Sequence, residues 1–202
     1  MRTLVNEVER DCAVEAFIAA NRSFGTGGTT PFASDLSELA SVRKILDDNG
    51  APKADRHLII DTTAGVNLRS LTQITDVDRS GDNSILRQGE LTQNPLLGFA
   101  MRESAGVNLE TAGTGTGYVV NLVAGYAVGD TEIAVDTGSG TILAGDTVTF
   151  AGDINQYVVA SSVGGGTVTQ VTIANPGLRQ ALADNTVMTL SRANSTFTPN
   201  IA

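Results

Sequence analysis

The sequence predicts an α+β fold in which a helical and mixed N-terminal part precedes a small all-β domain. Three observations carry this. Apolar residues recur at helical spacing between Leu4 and Asn21, and again between Leu36 and Leu46. Beyond residue 117 the chain turns into short β-branched runs bounded by Gly or Asp. Charge shifts at the same place: of 13 Lys and Arg residues, only Arg179 and Arg192 lie past residue 117.

The first helix spans Leu4 to Asn21, with Leu4, Val5, Val8, Cys12, Val14, Ala16 and Ile18 as its apolar positions. Asn21-Arg22-Ser23-Phe24 ends it, and Gly25-Thr26-Gly27-Gly28-Thr29-Thr30-Pro31 forms a loop. Ser34 or Asp35 caps a second helix, with Glu38 at capping-box spacing from Asp35. Leu36, Leu39, Val42, Ile45 and Leu46 are its buried stripe, and Asn49-Gly50 followed by Pro52 stops it. Arg56 to Ile60 reads as a strand, Ala64 to Leu71 as a short helix, and Asp76 to Asn83 as a polar loop. Ile85 to Leu91 holds one helical turn, and Gly98 to Glu103 is a second strand. Six further strands follow, at Tyr118–Val123, Glu132–Val135, Asp146–Phe150, Gln156–Val159, Thr167–Ile173 and Thr186–Leu190. Their close spacing and hydroxyl-rich alternation predict a barrel or sandwich with one face of each strand solvated.

Composition narrows the function. The chain has 202 residues and a formal charge of −9, which argues against a main task of neutralising phosphate backbones or anionic lipid. Aromatics make up 4% and Trp is absent, so a pocket of stacked rings is not expected. One cysteine, Cys12, excludes an internal disulfide framework and a multi-cysteine metal site. The N-terminal residues lack the apolar segment of a signal peptide, and no stretch has the length of a membrane span. A soluble protein made in a reducing compartment is expected. Charged residues are 17% of the chain, below the usual quarter; neutral surface of this extent suits subunits that press together.

The motifs with chemical potential are each better explained by structure. Gly25 to Thr30 is followed by Pro31, where a P-loop needs Lys and then Ser or Thr, so it is an interhelical loop. Gly113-x-Gly115-x-Gly117 precedes a strand and not a helix, which removes the helix N-terminus a pyrophosphate needs; it reads as a linker. Asp76, Asp78 and Ser80 with Gly81 and Asp82 match the opening of an EF-hand calcium loop. The twelfth position, which should be a bidentate Glu, is Arg87, and Glu90 comes three residues late. A solvated acidic turn is the reading taken, with calcium at Asp76, Asp78, Ser80 and Asp82 as the alternative. His57 opens an apolar strand with no Gly-x-Ser-x-Gly elbow in the chain, so it is structural. Asp47-Asp48 lies at a helix end near Arg43 and Lys44. No catalytic or cofactor-binding residue is assigned, and the chain reads as a non-enzyme.

The segment Asp35 to Ile60, with a helix running into Ala51-Pro52-Lys53-Ala54-Asp55-Arg56-His57 and a strand, resembles the P22-type family of tailed-phage major capsid proteins. Ala64-Gly65-Val66-Asn67-Leu68, Leu86-Arg87-Gln88-Gly89-Glu90-Leu91, Gly98-Phe99 and Glu103-Ser104 are similar to later blocks of that family. The stretch around Leu143 to Gly152 is similar to its small inserted β domain, and Thr198 to Ala202 to the lead-in of its returning core segment. The resemblance implies a partial HK97-like capsid core carrying an inserted small all-β barrel or sandwich. Its segments would be 1–117 for the core, 118–190 for the inserted domain and 191–202 for the return.

It also implies a structural coat subunit of a phage or prophage virion, made in the bacterial cytoplasm and self-assembling into an icosahedral shell around DNA. The implied partners are other copies of the chain, scaffolding and portal proteins; packaged DNA would be met indirectly, and no membrane is involved. Arg43, Arg56 and Arg69 are candidates for salt bridges between subunits. Coat proteins of this family are considerably longer than this chain, so the sequence is expected to be a fragment, a decayed gene or a partial subunit. The competing reading is a secreted or surface β-module that binds carbohydrate or another ligand on a helical stalk. The absence of Trp and of an export signal weighs against it.

Overall fold

The computed structural model describes residues 2–76, 78, 89, 95–107 and 111–191. The protein is α+β and divides into two compact units, residues 1–13 with 29–108 and residues 14–28 with 109–202. Helix α1 (Arg2–Ile18) contributes to both.

The first unit holds α2 (Ser37–Asp48), β2 (His57–Ile60), α3 (Thr62–Ser70), α4 (Thr72–Thr75) and β3 (Ala100–Glu103). The α2 stripe is buried at Leu39, Val42 and Leu46. Its end is a Schellman motif: Ala51 N–H donates to Leu46 O (3.0 Å) and Gly50 N–H to Asp47 O (3.1 Å). Its start departs from the expected capping box. The helix begins at Ser37 with Leu36 at the cap, because the Asp35 carboxylate turns onto the Ser37 N–H (2.8 Å) and hydroxyl (2.5 Å). Asp61, not singled out in the sequence, caps α3 by accepting from Thr63 N–H (3.1 Å) and Ala64 N–H (3.0 Å).

Strands β2 and β3 run parallel, pairing Leu58 with Met101 and Ile60 with Glu103. β3 is preceded by a tight turn in which Leu96 and Phe99 pair across Leu97 and Gly98, both with positive φ (48° and 87°). The expected apolar stripe of α1 is not buried at its start: Leu4, Val5, Val8 and Cys12 are exposed. Within the first unit the helix is held through Glu9, whose Oε1 accepts from Ser104 Oγ (2.5 Å). Apart from Gly89, the predicted turn at Ile85–Leu91 lies outside the described residues, as does most of the predicted Asp76–Asn83 loop.

The second unit is a β-barrel. Strands β4 (Val119–Val120), β5 (Glu132–Asp136), β6 (Thr147–Phe150), β7 (Gln156–Val163), β8 (Gln170–Ile173) and β9 (Met188–Ser191) pair in the order β4-β5-β8-β7-β6-β9. All these pairings are antiparallel. The ring closes between β4 and the approach to β9. There Val120 N–H donates to Thr186 O, Asn185 N–H to Val120 O, and Met188 N–H to Tyr118 O, each at 2.9 Å. Closure removes sheet edges. Alternating residues fill the inside, among them Val120, Ile133, Val135, Val148, Phe150, Tyr157, Val159, Val171, Ile173 and Met188.

A further strand comes from far upstream. β1 (Arg22–Ser23) pairs antiparallel with β7, Arg22 opposite Tyr157 and Ser23 opposite Gln156. β8 pairs with β7 only from Val159 onward, past a bulge between Val159 and Ser161. β1 occupies the place beside β7 that β8 has left, and Val158 N–H donates to Asn21 O (3.1 Å). Thr147 and Val158, which face away from the barrel interior, are fully buried, and Ser23 Oγ donates to Thr147 Oγ1 (3.3 Å).

The Gly113–Gly117 stretch is not a free linker. Gly115 N–H donates to Thr141 O (2.8 Å), Thr116 exchanges two backbone bonds with Ser139, and Gly113 N–H reaches the buried Asp146 carboxylate (3.0 and 3.1 Å). Its glycines let bare backbone lie against Thr141 and Asp146, where a side chain at Gly113 would collide with both.

Candidate interaction site

Strand pairing gathers three loops, 121–131, 151–155 and 174–187, at one end of the barrel. Bonds between them fix the arrangement: Ala151 N–H to Val187 O (2.9 Å), Gln180 Nε2 to Gly152 O (3.1 Å), and Leu122 N–H to Asp184 Oδ1 (3.0 Å). Tyr126 and Leu182 exchange backbone bonds of 2.8 and 2.9 Å.

Beneath these loops sits a polar cluster built around β1. The Arg22 guanidinium lies 5.8 Å from the Tyr157 ring centroid and donates through Nη2 to Asn155 Oδ1. Tyr157 donates its hydroxyl proton to Asp153 Oδ2 (2.7 Å) and accepts from Arg179 N–H (2.9 Å). Asp153 Oδ1 also accepts from Asn155 N–H (2.9 Å) and Asn155 Nδ2 (2.5 Å). Burial lowers the Arg22 pKa, partly offset by its neighbours Tyr157 and Asp153. Burial, with Asp153 accepting its proton, pushes the Tyr157 phenol up to about 12. This cluster therefore holds a charged guanidinium and a protonated phenol at neutral pH. Its bonds run from β1 through Asn155 and Tyr157 to Asp153, and it works as a clasp fastening β1 to the barrel wall. Arg22 Nε and Asn21 Oδ1 are buried without a hydrogen-bond partner among the described residues.

A buried carboxylate stands at the opposite end. Asp146 accepts from Leu143 N–H (2.7 Å) as well as from Gly113, and burial raises its pKa while those amides pull the other way. It holds the incoming strand to the barrel. Tyr118 works beside it, donating to Gly140 O (2.6 Å) and accepting from Val168 N–H (2.9 Å).

The loops over the Arg22 cluster carry an unusual outer surface. Leu122, Val123, Val128, Ile154 and Val187 are all exposed there, Val123 by 92% and Ile154 by 97%. The charged residues of the three loops are Asp130, Asp153, Asp184 and Arg179. Each of the three carboxylates accepts hydrogen bonds from its own neighbourhood: Asp130 from Ala127 N–H (2.7 Å), Asp184 from Leu122 N–H and Asn185 Nδ2, and Asp153 as above.

The residues singled out in the sequence fall elsewhere. His57 is exposed at the start of β2 opposite Ala100. Arg43, Arg56 and Arg69 are engaged within the chain. Arg43 donates to Leu97 O (3.0 Å) and pairs with Asp47 (3.8 Å). The nearly buried Arg56 pairs with Asp47 (2.8 Å) and donates to Ala51 O and Pro52 O. Arg69 pairs with Glu103. The Arg56 guanidinium holds the Asp47 carboxyl below the usual carboxylate range. Of the calcium candidates, Ser80 and Asp82 lie outside the described residues. Among the described residues no group of three His, Cys, Asp or Glu side chains is placed to hold a metal, and no helix is long and apolar enough to cross a membrane. The exposed loop tips were missed because Val and Ile inside a β-rich segment read as core.

No family model matches the chain, and no curated protein matches it. A solved structure from Mycobacterium phage Che8 is similar at 17% sequence identity and a TM-score of 0.45. The match covers 96% of this chain and 58% of that one, so the chain spans little more than half the length of that neighbour.

Proposed function

We propose that this chain is part of a P22-type phage or prophage major capsid protein, a virion subunit that assembles with copies of itself into an icosahedral shell around DNA. Scaffolding and portal proteins are the further partners in this reading, and the work is done by protein contacts and not by catalysis. The observation that carries it is the block from Asp35 to Ile60, a helix, an Ala-Pro-x-x-x-Arg-His turn and a strand, which resembles the family in residue order. The six-stranded barrel that follows this block suits the small inserted β domain that the resemblance implies. The −9 charge suits a protein that encloses nucleic acid without collapsing onto it.

Negative-stain electron microscopy of the whole gene product, co-expressed with its neighbouring scaffolding gene, tests the reading. Closed or aberrant shells are expected. Soluble monomers that never form shells contradict it.

A further inference from the structure

We infer that Asn49 is a site of spontaneous deamidation, and that Arg56 holds it unreactive while the end of α2 stays closed. The inference is independent of the shell reading.

Asn49-Gly50 is the one place in the chain where asparagine precedes glycine. In that pair no β-carbon on the following residue hinders ring closure. The Gly50 amide nitrogen gives its proton to hydroxide and attacks Cγ of the Asn49 side chain. The N–Cγ bond forms, the Cγ–Nδ2 bond breaks and ammonia leaves, closing a five-membered succinimide. Water then opens the ring at either carbonyl and leaves an aspartyl or an isoaspartyl residue. The net change is one water consumed and one ammonia released. Gly50 is exposed, with open space where a side chain would stand, so water reaches the site.

The fold pins both reacting groups. Gly50 N–H, the nucleophile, donates to Asp47 O (3.1 Å), and Asn49 Nδ2, the leaving group, donates to Ile45 O (2.6 Å). Both bonds require the chain to turn back on the end of α2, and Arg56 spans that turn. Its nearly buried guanidinium pairs with Asp47 on the helix (2.8 Å). It also donates to Ala51 O (2.8 Å) and Pro52 O (2.7 Å), beyond the reactive pair. One planar fork thus closes the chain around Asn49-Gly50.

Modification undoes this closure. A carboxylate at position 49 joins Asp47 and Asp48 at the helix C-terminus, where negative charge is unfavourable, and it has no proton to donate to Ile45 O. The isoaspartyl product also puts an extra backbone atom into the Schellman motif.

Mass spectrometry tests this on the full chain, incubated in mildly alkaline buffer and then digested with trypsin, through peptide 45–53. In guanidinium chloride the wild type is expected to form the aspartyl and isoaspartyl peptides at least about tenfold faster than the folded wild type, whose site reacts only through local opening. Folded R56A is expected to react several-fold faster than folded wild type, with R56K, which keeps the charge but not the fork, between them. R43A is expected to match the wild type, since Arg43 pairs with Asp47 (3.8 Å) and donates to Leu97 O without spanning the turn. Circular dichroism melting checks that each variant is folded, and R56K carries the comparison if R56A is not. Equal rates in the folded and denatured wild type overturn the protection. R56A and R56K at the wild-type rate overturn the role of Arg56, as does equal acceleration by R43A. A peptide unmodified under both conditions overturns the site itself.

Discussion

The two units solve the problem of strand edges in opposite ways. In the barrel unit six antiparallel strands close on themselves, a seventh from upstream fills the place beside β7, and the core has Tyr118, Phe150 and Tyr157 at its centre. The other unit rests on helices around a two-stranded parallel pair whose residues His57, Ile59, Arg102 and Glu103 are exposed. Parallel sheets are usually covered on both faces, and two strands alone are marginal. The barrel thus carries its stability within itself, whereas the helical unit has a sheet face suited to being covered.

The largest test of this contrast is Phe150→Ala. The ring is buried in the barrel and packs 6.0 Å from Tyr157, so its loss is expected to cost about 3–5 kcal/mol in urea unfolding. A cost near that of a surface substitution would mean the barrel is not one cooperative core. Asp146→Ala comes next. It strands the Gly113 and Leu143 amides, for an expected loss of about 2 kcal/mol, read from the same barrel transition.

Tyr157→Phe is expected to cost about 1 kcal/mol by releasing Asp153 and the Arg179 amide, and it also has a pH signature. Folding raises the phenol from 10.0 to about 12. Its contribution is therefore complete below pH 10 and is lost as pH rises through 12. The wild-type barrel should weaken across that window, and the Phe variant should lose this share of the slope. An unchanged slope would place the dependence elsewhere. The smallest effect is expected in the other unit, where Asp61→Ala removes the α3 cap for about 1 kcal/mol or less, seen as a lowered melting temperature of the helical signal.

How far the sequence foretold these regions follows from the range of the interactions. The six barrel strands were legible because β-branched runs between Gly and Asp are local signals, and the end of α2 because Asn49-Gly50 supplies the left-handed residue its motif needs. β1 was not legible. Arg22-Ser23 has no strand pattern of its own, and its partner lies more than 130 residues away, so pairing and not propensity makes it a strand. The Asp61 cap has a local signal, Asp-Thr-Thr before an apolar run. The α1 stripe is legible as helical, but periodicity reports a face and not what covers it, and Leu4, Val5 and Val8 are exposed. The Arg22–Tyr157–Asp153 clasp was beyond reach for the same reason as β1, since its side chains gain meaning only once the pairing is known.

Asn21–Ser23 belongs to the barrel wall and shares its stability, and native-state hydrogen exchange is the sharpest probe of that. Val158 N–H, whose acceptor is Asn21 O, should exchange as slowly as Val159 N–H, whose acceptor is Asp146 O, both limited by unfolding of the whole barrel. If Val158 exchanges far faster than Val159, at the rate of a fraying surface segment, the upstream strand is only an adornment and is no part of the barrel's cooperative unit.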